Sequence, residues 1–264
     1  MKIRRCLILA TSVVSPLTAL AAPFDHAHAI FDTVLRKHVS ESWVDYGALK
    51  ADPKPLDTYL DGLAAVSEEE FNRWSEKERL AFLLNLYNAA TLKLVVDHYP
   101  IKSIKDIGGF RNGPWKQKVV RLFGKVIALD EVEHGLIRAQ YHDPRVHFAL
   151  VCAAKGCPPL RAEAYVAARL DDQLDHQGRV FLGQAHKNRV AAASRTVYLS
   201  PIFKWFKKDF EEKSGSVLRF VESYLPEKDR PAVAAGGFKI RYTAYDWSLN
   251  DKSQERSLSD GRKK

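Results

Sequence analysis

Hydrophobic residues occupy almost every side of the segment from Leu80 to Val96, in a helical rather than an alternating pattern. Ser75 and Glu78 precede it at the spacing of a capping box, in which each side chain binds the backbone N–H of the other residue. A helix that is apolar all round is normally buried. The pattern therefore predicts a long core helix that ends near His98.

Alternating and β-rich runs predict strands elsewhere along the chain. The predicted strands are "QKVVRLFGKVIALD" as a hairpin around Gly124, "HFALVC" from His147 to Cys152, "TVYLS", and the extended "FKIRYTAYDWSLN". Further helices are predicted for "EVEHGLIRAQY", for residues 170–184, for "SPIFKWFKKDF", and for residues 217–224. Helices and strands mix without regular βαβ alternation, so we expect an α+β fold in a single mixed helix/sheet domain.

Residues 1–21, "MKIRRCLILATSVVSPLTALA", have the features of an export signal. Basic residues come first, a short apolar stretch follows, and Ala19-Leu20-Ala21 provides a small-x-small cleavage site. We therefore expect a periplasmic or secreted protein that is released by signal cleavage. Residues 22–250 are expected to form one domain, because no linker interrupts them, and residues 251–264 a disordered polar tail.

The charge balance restricts the class of partner. The chain has 41 Lys and Arg residues against 32 Asp and Glu residues, a net charge of +9, and loss of Lys2, Arg4 and Arg5 with the signal lowers this to +6. This mild excess, in an exported protein, argues against nucleic-acid binding. We expect a small-molecule or envelope peptide ligand. No integral membrane segment is expected after signal cleavage, because polar residues interrupt the longest apolar run.

Cys152 and Cys157 are separated only by "AAKG", and two interpretations of the pair are open. Cys152 can be a thiol nucleophile, which needs an imidazole base oriented by an amide or a carboxylate. Alternatively the two sulfurs form a disulfide, which an oxidising compartment favours and which would contribute about 2 kcal/mol for so short a loop. Neither H-E-x-x-H nor C-x-x-C occurs, so the sequence indicates no metal and no cofactor.

Five blocks occur in order over most of the chain: "FLLNLYNAATL", "LDEVEHGLIR", "HFALVCAAKGCPPLR", "LSPIFKWFKKDF" and "IRYTAYDWSLN". Together they resemble the family called domain of unknown function 547. The resemblance implies one family domain over residues 22–250 and no specific biochemical activity. It implies a site at the motif positions, which are Asn85, Tyr87, Asn88, Glu133, His134, Arg138, His147, Cys152, Asp246 and Trp247.

Each candidate residue also has a structural interpretation. Asn85 and Asn88 lie one turn apart on an apolar helix, so their amides either bind neighbouring backbone or form a polar cleft wall. Glu133 follows Asp130 at capping-box spacing, so it can simply complete a capping box rather than serve a site. His134 and Arg138 are four residues apart on one helical face, beside Gly135, and have no such structural explanation.

His147 begins the predicted "HFALVC" strand. Alternation along a strand places His147 and Cys152 on opposite faces, so the two side chains could not meet. His134 is then the better base for Cys152. His147 would make a hydrogen bond in the core or serve another face.

Two hypotheses of function follow. The first is a thiol hydrolase or acyl transferase on an envelope peptide or amide, by the logic of papain-like and permuted cell-wall-peptidase folds. Cys152 is its nucleophile and His134 its base, Asn88 or Asp246 orients the base, and Arg138 binds a carboxylate. The second is a non-catalytic ligand-binding module in which Cys152–Cys157 is a disulfide; Arg138, Asn85, Glu133 and His147 are the candidate binding residues.

We predict that the exported protein begins at Ala22 or Pro23, because cleavage follows the small residues of Ala19-Leu20-Ala21. N-terminal sequencing of the protein from the cell envelope checks this prediction. Deletion of residues 1–21 should leave a folded protein, as followed by circular dichroism. An envelope protein that still begins at Met1 would contradict the prediction.

Overall fold

The computed structural model describes residues 23–109 and 112–254 of the chain. The helices in this part are α1 (Ala29–His38), α2 (Tyr46–Ala51), α3 (Lys54–Ala65), α4 (Glu68–Arg73), α5 (Glu76–His98), α6 (Ala139–Tyr141), α7 (Val146–Ala149), α8 (Leu170–Leu182), α9 (Ile202–Trp205), α10 (Lys207–Ser214), α11 (Val217–Glu222) and α12 (Arg230–Ala234). A π-helix spans Glu131–Arg138. The predicted signal and residues 255–264 of the predicted tail lie outside the described residues.

The strands form three small sheets. They are β1 (Val39–Ser40), β2 (Trp43–Val44), β3 (Lys118–Leu122), β4 (Lys125–Ala128), β5 (Arg189–Ala191), β6 (Thr196–Leu199) and β7 (Lys239–Tyr242). The β1/β2 and β3/β4 pairs are antiparallel; β6 pairs antiparallel with β5 and parallel with β7. The parallel strands β6 and β7 are joined through α9–α12, but helices and strands do not alternate regularly along the chain, which confirms the predicted α+β class.

Helix α5 is the central element, and the predicted capping box is present at its start. The Ser75 hydroxyl accepts the Glu78 N–H, and the Glu78 carboxylate accepts the Ser75 N–H. By length and composition α5 could cross a membrane, but its most apolar window is 89% buried within the fold. Its apolar composition is that of a core helix.

Two hydrophobic cores pack side by side. The larger is built around α5 and contains the buried faces of α1 and α3. The second contains residues of α8, α9, α10 and α11 and is rich in phenylalanine. Helix α7 lies between them, because Phe148 belongs to the second core while Val146 and Ala149 belong to the first.

The predicted strand "HFALVC" is wrong. Residues 146–149 form helix α7, Leu150 is extended at its C-terminal end, and residues 150–152 belong to no strand. The run follows a turn in which the Asp143 carboxylate accepts the Arg145 N–H at 2.9 Å. A short apolar run has no periodicity that separates a strand from a buried helix. The argument that His147 and Cys152 point to opposite faces therefore fails.

The predicted capping box of Asp130 and Glu133 is also wrong. Asp130 makes no side-chain cap, and the Glu131 carboxylate accepts the Ala128 N–H at 2.9 Å instead. Glu133 is buried against Tyr87. The segment forms a π-helix, a rare geometry that often occurs at functional sites.

Two boundaries differ from the predicted ones. The helix predicted for "SPIFKWFKKDF" is broken at Phe206 into α9 and α10. Asp251, assigned to the polar tail, is buried; it pairs with Val44 and accepts a hydrogen bond from the Tyr99 hydroxyl at 2.8 Å. The ordered chain therefore continues past residue 250.

The Asn85 side chain pairs with the backbone of Tyr165, as a neighbouring strand would. Its Nδ2 donates to the Tyr165 carbonyl at 2.8 Å, and its Oδ1 accepts the Tyr165 N–H at 3.0 Å. We predict that Asn85→Ala lowers the free energy of unfolding by about 2–4 kcal/mol, because it leaves two buried backbone groups unpaired. Urea denaturation measures this loss.

The matched control is Asn72→Ala on α4, where the asparagine is exposed. It should change the free energy of unfolding by less than about 0.5 kcal/mol. Equal effects of the two substitutions would contradict the structural role of Asn85.

Candidate functional site

A cleft of about 220 Å³ lies at the border of the two hydrophobic cores. Its polar and sulfur-containing lining residues are Glu133, His134, His147, Cys152 and Cys157. Its aromatic lining residues are Tyr87, Trp115, Trp205, Phe206, Tyr245 and Trp247. The cleft thus combines a mostly apolar wall with a few polar groups, as ligand sites commonly do.

Asn88 of α5 positions the segment that carries the cysteines. Its Nδ2 donates to the Ala149 carbonyl at 3.0 Å, and its Oδ1 accepts the Val151 N–H at 3.1 Å. The side chain is buried and does not line the cleft. Asn88 and Asn85 therefore both bind backbone, and neither supplies an amide to the cleft.

The sulfur atoms of Cys152 and Cys157 lie at disulfide-bonding distance, with Cα atoms 6.2 Å apart. Cys152 is half-buried and Cys157 is buried. The Tyr245 hydroxyl contacts Cys152 Sγ at 3.0 Å and donates to Cys157 Sγ at 3.3 Å. Burial raises the pKa of Tyr245, and nearby Glu133 adds to the effect, so its phenol stays protonated and able to donate.

The loop between the cysteines pairs with the C-terminal segment. Lys155 N–H donates to the Ser248 carbonyl and Gly156 N–H to the Asp246 carbonyl, each at 2.8 Å. A Cβ at Gly156 would lie 2.9 Å from the Asp246 nitrogen, so the glycine permits a close backbone approach. In this loop Ala153 has the left-handed conformation, with φ 57°. Gly156 does not, so it does not form the turn.

A half-buried ion pair lies beside the cleft. Asp209 of α10 accepts from Arg138 Nε at 2.7 Å and Nη2 at 2.8 Å, and from His147 Nε2 at 2.8 Å. Burial alone would raise the pKa of Asp209, but its bonds to His147 and Arg138 hold it well below the usual range. Burial lowers the pKa of His147, which the bond to Asp209 only partly opposes. His147 is thus a neutral imidazole that donates from Nε2 to a carboxylate.

His134 is exposed, and Arg138 Nη1 lies 2.9 Å from its Nδ1. A guanidinium has no acceptor, so Arg138 donates and the Nδ1 lone pair of His134 is engaged. His134 lines the cleft, and Arg138 lines an adjoining pocket together with His134 and Asp209. The expected pairing of His134 with Arg138 exists, but it occupies one of the two imidazole nitrogens.

Glu133 faces the cleft from the π-helix. Its side chain accepts one hydrogen bond among the described residues, from the Tyr87 hydroxyl to Oε2 at 3.2 Å. Only 9% of Glu133 is exposed. Burial raises the pKa of Tyr87 and the neighbouring Glu133 adds to this, so Tyr87 remains the donor in the pair.

Aromatic rings form another part of the cleft wall. Trp247 contacts Tyr245, Trp205 and Trp115, at ring-centroid distances of 4.5, 5.8 and 5.8 Å. Trp205 is 49% exposed, which is unusual for so large an apolar side chain. The Lys105 ammonium lies 3.6 Å from the centroid of the Trp247 ring.

Asp246 does not belong to the cleft. It lines a separate pocket with Lys155, His186 and Lys187. Lys187 is buried and donates to the Cys157 carbonyl at 2.5 Å; burial lowers its pKa to about 8, and Asp246 opposes this shift. Asp246 therefore balances buried lysine charge behind the disulfide and orients no imidazole.

The sequence-predicted site residues are partly brought together. Glu133, His134, His147 and Cys152 line one cleft, Arg138 lies next to it, and Asn85, Asn88 and Asp246 lie outside it. No group of three or more metal-ligating side chains is found in the described ranges.

Sequence reasoning missed three important groups: Asp209, Tyr245 and Trp205. Each lies in one of the five sequence blocks, so a signal was present. No local rule distinguishes them within those blocks, because an aspartate beside lysines is typical of a solvated helix face and a tryptophan among apolar residues is typical of a core. Their role depends on packing between distant segments, which the local pattern does not encode.

Comparison with known proteins adds one finding. Residues 71–182 match the model of the family described as "Protein of unknown function, DUF547". No curated protein and no solved structure matches this chain. The matched range holds α5, the π-helix and the segment of both cysteines, while Asp209 and the C-terminal aromatic residues lie beyond it. The match therefore supports, over residues 71–182, the resemblance to this family that the sequence blocks indicated.

Proposed function

We propose that this protein is an exported binding module, which holds a small-molecule or envelope peptide ligand in the cleft. The observation that carries the proposal is the pairing of Cys152 with Cys157 in the cleft wall. A sulfur bonded to another sulfur is no longer a thiolate nucleophile. In this state the pair serves as a structural staple.

The engagement of both cleft imidazoles supports the same proposal. His134 accepts from Arg138 at Nδ1, and His147 donates to Asp209. The side chain of His147 is only 1% exposed, because Phe206 stacks on it at a centroid distance of 3.8 Å. Each imidazole thus has a structural partner at one of its nitrogens, and Phe206 also shields His147.

Export is part of the proposal and rests on the charge and apolar pattern of residues 1–21. The periplasm and the cell exterior are oxidising, and disulfides persist there. In such a compartment the Cys152–Cys157 staple would remain formed and would keep Tyr245 in the cleft wall.

A thiol-dependent hydrolase or acyl transferase is the second candidate. Cys152 and His147 line the same cleft, and Asp209 orients His147 as the third member of a triad would. In a reduced protein Cys152 would give its proton to the unprotonated His147 Nδ1 and attack an acyl carbonyl. An amine would leave with that proton, and water or a second amine would then cleave the thioester.

We predict that the mature protein, purified without reductant and denatured, adds no alkylating reagent at Cys152 or Cys157. After reduction both cysteines should react, as read by mass spectrometry. The result expected for a thiol enzyme is the opposite: native protein in which Cys152 alone is alkylated, faster than a model thiol below pH 7. That result would overturn the binding-module proposal.

Cys152→Ser and Cys157→Ser form a matched pair of variants for the same question. Both remove the disulfide, so each should lower the free energy of unfolding by about 2 kcal/mol in urea denaturation. The reference is the double variant in which both cysteines are serine. If Cys152 were the nucleophile, only Cys157→Ser would cleave a model acyl ester faster than this reference. Equal inactivity of the two variants supports a staple.

A further inference from the structure

Glu133 is a buried carboxylate that makes no direct ion pair among the residues that the structure describes. It is 9% exposed, lines the cleft, and forms no ion pair within 4.0 Å among the described residues. Buried charges in proteins are normally paired, because removing an isolated ion from water is costly. The Tyr87 hydroxyl supplies one neutral hydrogen bond and no countercharge. The position facing Glu133 therefore favours a positive charge.

The other charged groups at the cleft do not neutralise Glu133. Arg138 is bound by both carboxylate oxygens of Asp209. His147 is neutral, since burial lowers its pKa, and His134 engages Arg138. Tyr87 and Tyr245 stay protonated. Arg138 and Asp209 balance each other, and the Lys105 ammonium lies on the Trp247 ring and forms no ion pair with Glu133. Glu133 is therefore the one carboxylate among the described residues that line the cleft, and it has no direct countercharge.

The aromatic wall suits the same kind of ligand. Ring faces of tryptophan and tyrosine attract cations, and tryptophan does so most strongly. Within this protein the Trp247 ring already attracts the Lys105 ammonium, at 3.6 Å from its centroid. Trp205 and Tyr245 stand beside it, with Trp205 half exposed at the cleft. A cation with apolar substituents would contact the ring faces and also neutralise the carboxylate.

We propose that the cleft binds an alkylammonium group, with Glu133 as its countercharge and Trp205, Tyr245 and Trp247 as its walls. This inference rests on the proposed binding function and specifies its ligand class. A substituted ammonium fits better than an inorganic cation, because the walls offer rings rather than oxygen ligands. An anionic ligand is disfavoured by the negative charge of Glu133.

The test compares choline with its neutral isostere 3,3-dimethylbutan-1-ol, by tryptophan fluorescence and calorimetric titration of the mature, unreduced protein. The two molecules have nearly the same shape and differ in charge. Choline should bind at least about tenfold more tightly, because both the ring faces and the carboxylate act on its charge. Equal affinities, or no binding of choline, would overturn the ammonium proposal.

Glu133→Gln removes the charge but keeps an acceptor for the Tyr87 hydroxyl. It should weaken choline binding about tenfold or more and leave the affinity for the neutral isostere unchanged. The matched control is Glu131→Gln, an exposed position on the same π-helix, which should change neither affinity. An unchanged choline affinity in Glu133→Gln would refute the assigned countercharge.

Circular dichroism and thermal unfolding verify that each variant is folded. If Glu133→Gln does not fold, the ratio of choline to isostere affinity in the unmodified protein still decides the proposal. Different results would refute the proposed ammonium ligand and the proposed binding module. Absent charge discrimination refutes the ammonium ligand alone, whereas a hyper-reactive free Cys152 refutes the stapled binding module.

Discussion

The structure depends on one side chain, the buried amide of Asn88. Its two hydrogen bonds hold the backbone of Ala149 and Val151, on either side of the point where α7 gives way to extended chain. That chain lies in the interior but belongs to no sheet, so its polar groups need another partner. Because α5 is buried on nearly all sides, the amide fixes the segment that carries His147 and Cys152 to the central helix of the fold.

These two hydrogen bonds, here called the Asn88 clamp, also explain where the cleft lies. Helix α7 separates the two hydrophobic cores, with Phe148 on one side and Ala149 on the other. The π-helix brings Glu133 from the first core, and α9 and α10 bring Trp205 and Asp209 from the second. Segments of both cores thus meet at their border, where the side chains of neither core fill the cleft completely. Asp209 joins the two sides, since it binds Arg138 of the π-helix and His147 of α7.

Elements with a strong local signal could be predicted from the sequence, and elements defined by long-range packing could not. Helix α5 and the β3/β4 hairpin follow from a capping box and from Gly124, whose φ of 72° suits a turn. For the "HFALVC" run, helix and strand share the same apolar pattern, and the Asn88 clamp decides the outcome. Glu133 was recognised by its motif, but its burial follows from the π-helix, which no local rule predicted.

Tyr245 contacts both the cysteine pair and the aromatic wall of the cleft. Its hydroxyl contacts both sulfurs, and its ring lies 4.5 Å from that of Trp247. The loop between the cysteines pairs with the backbone on both sides of Trp247, so the staple and the aromatic wall share one set of backbone hydrogen bonds. A disulfide in this place therefore orders more than a six-residue loop. It holds the C-terminal segment at the cleft that Glu133 also lines, where a mobile wall would weaken any cation–π contact by adding an ordering cost.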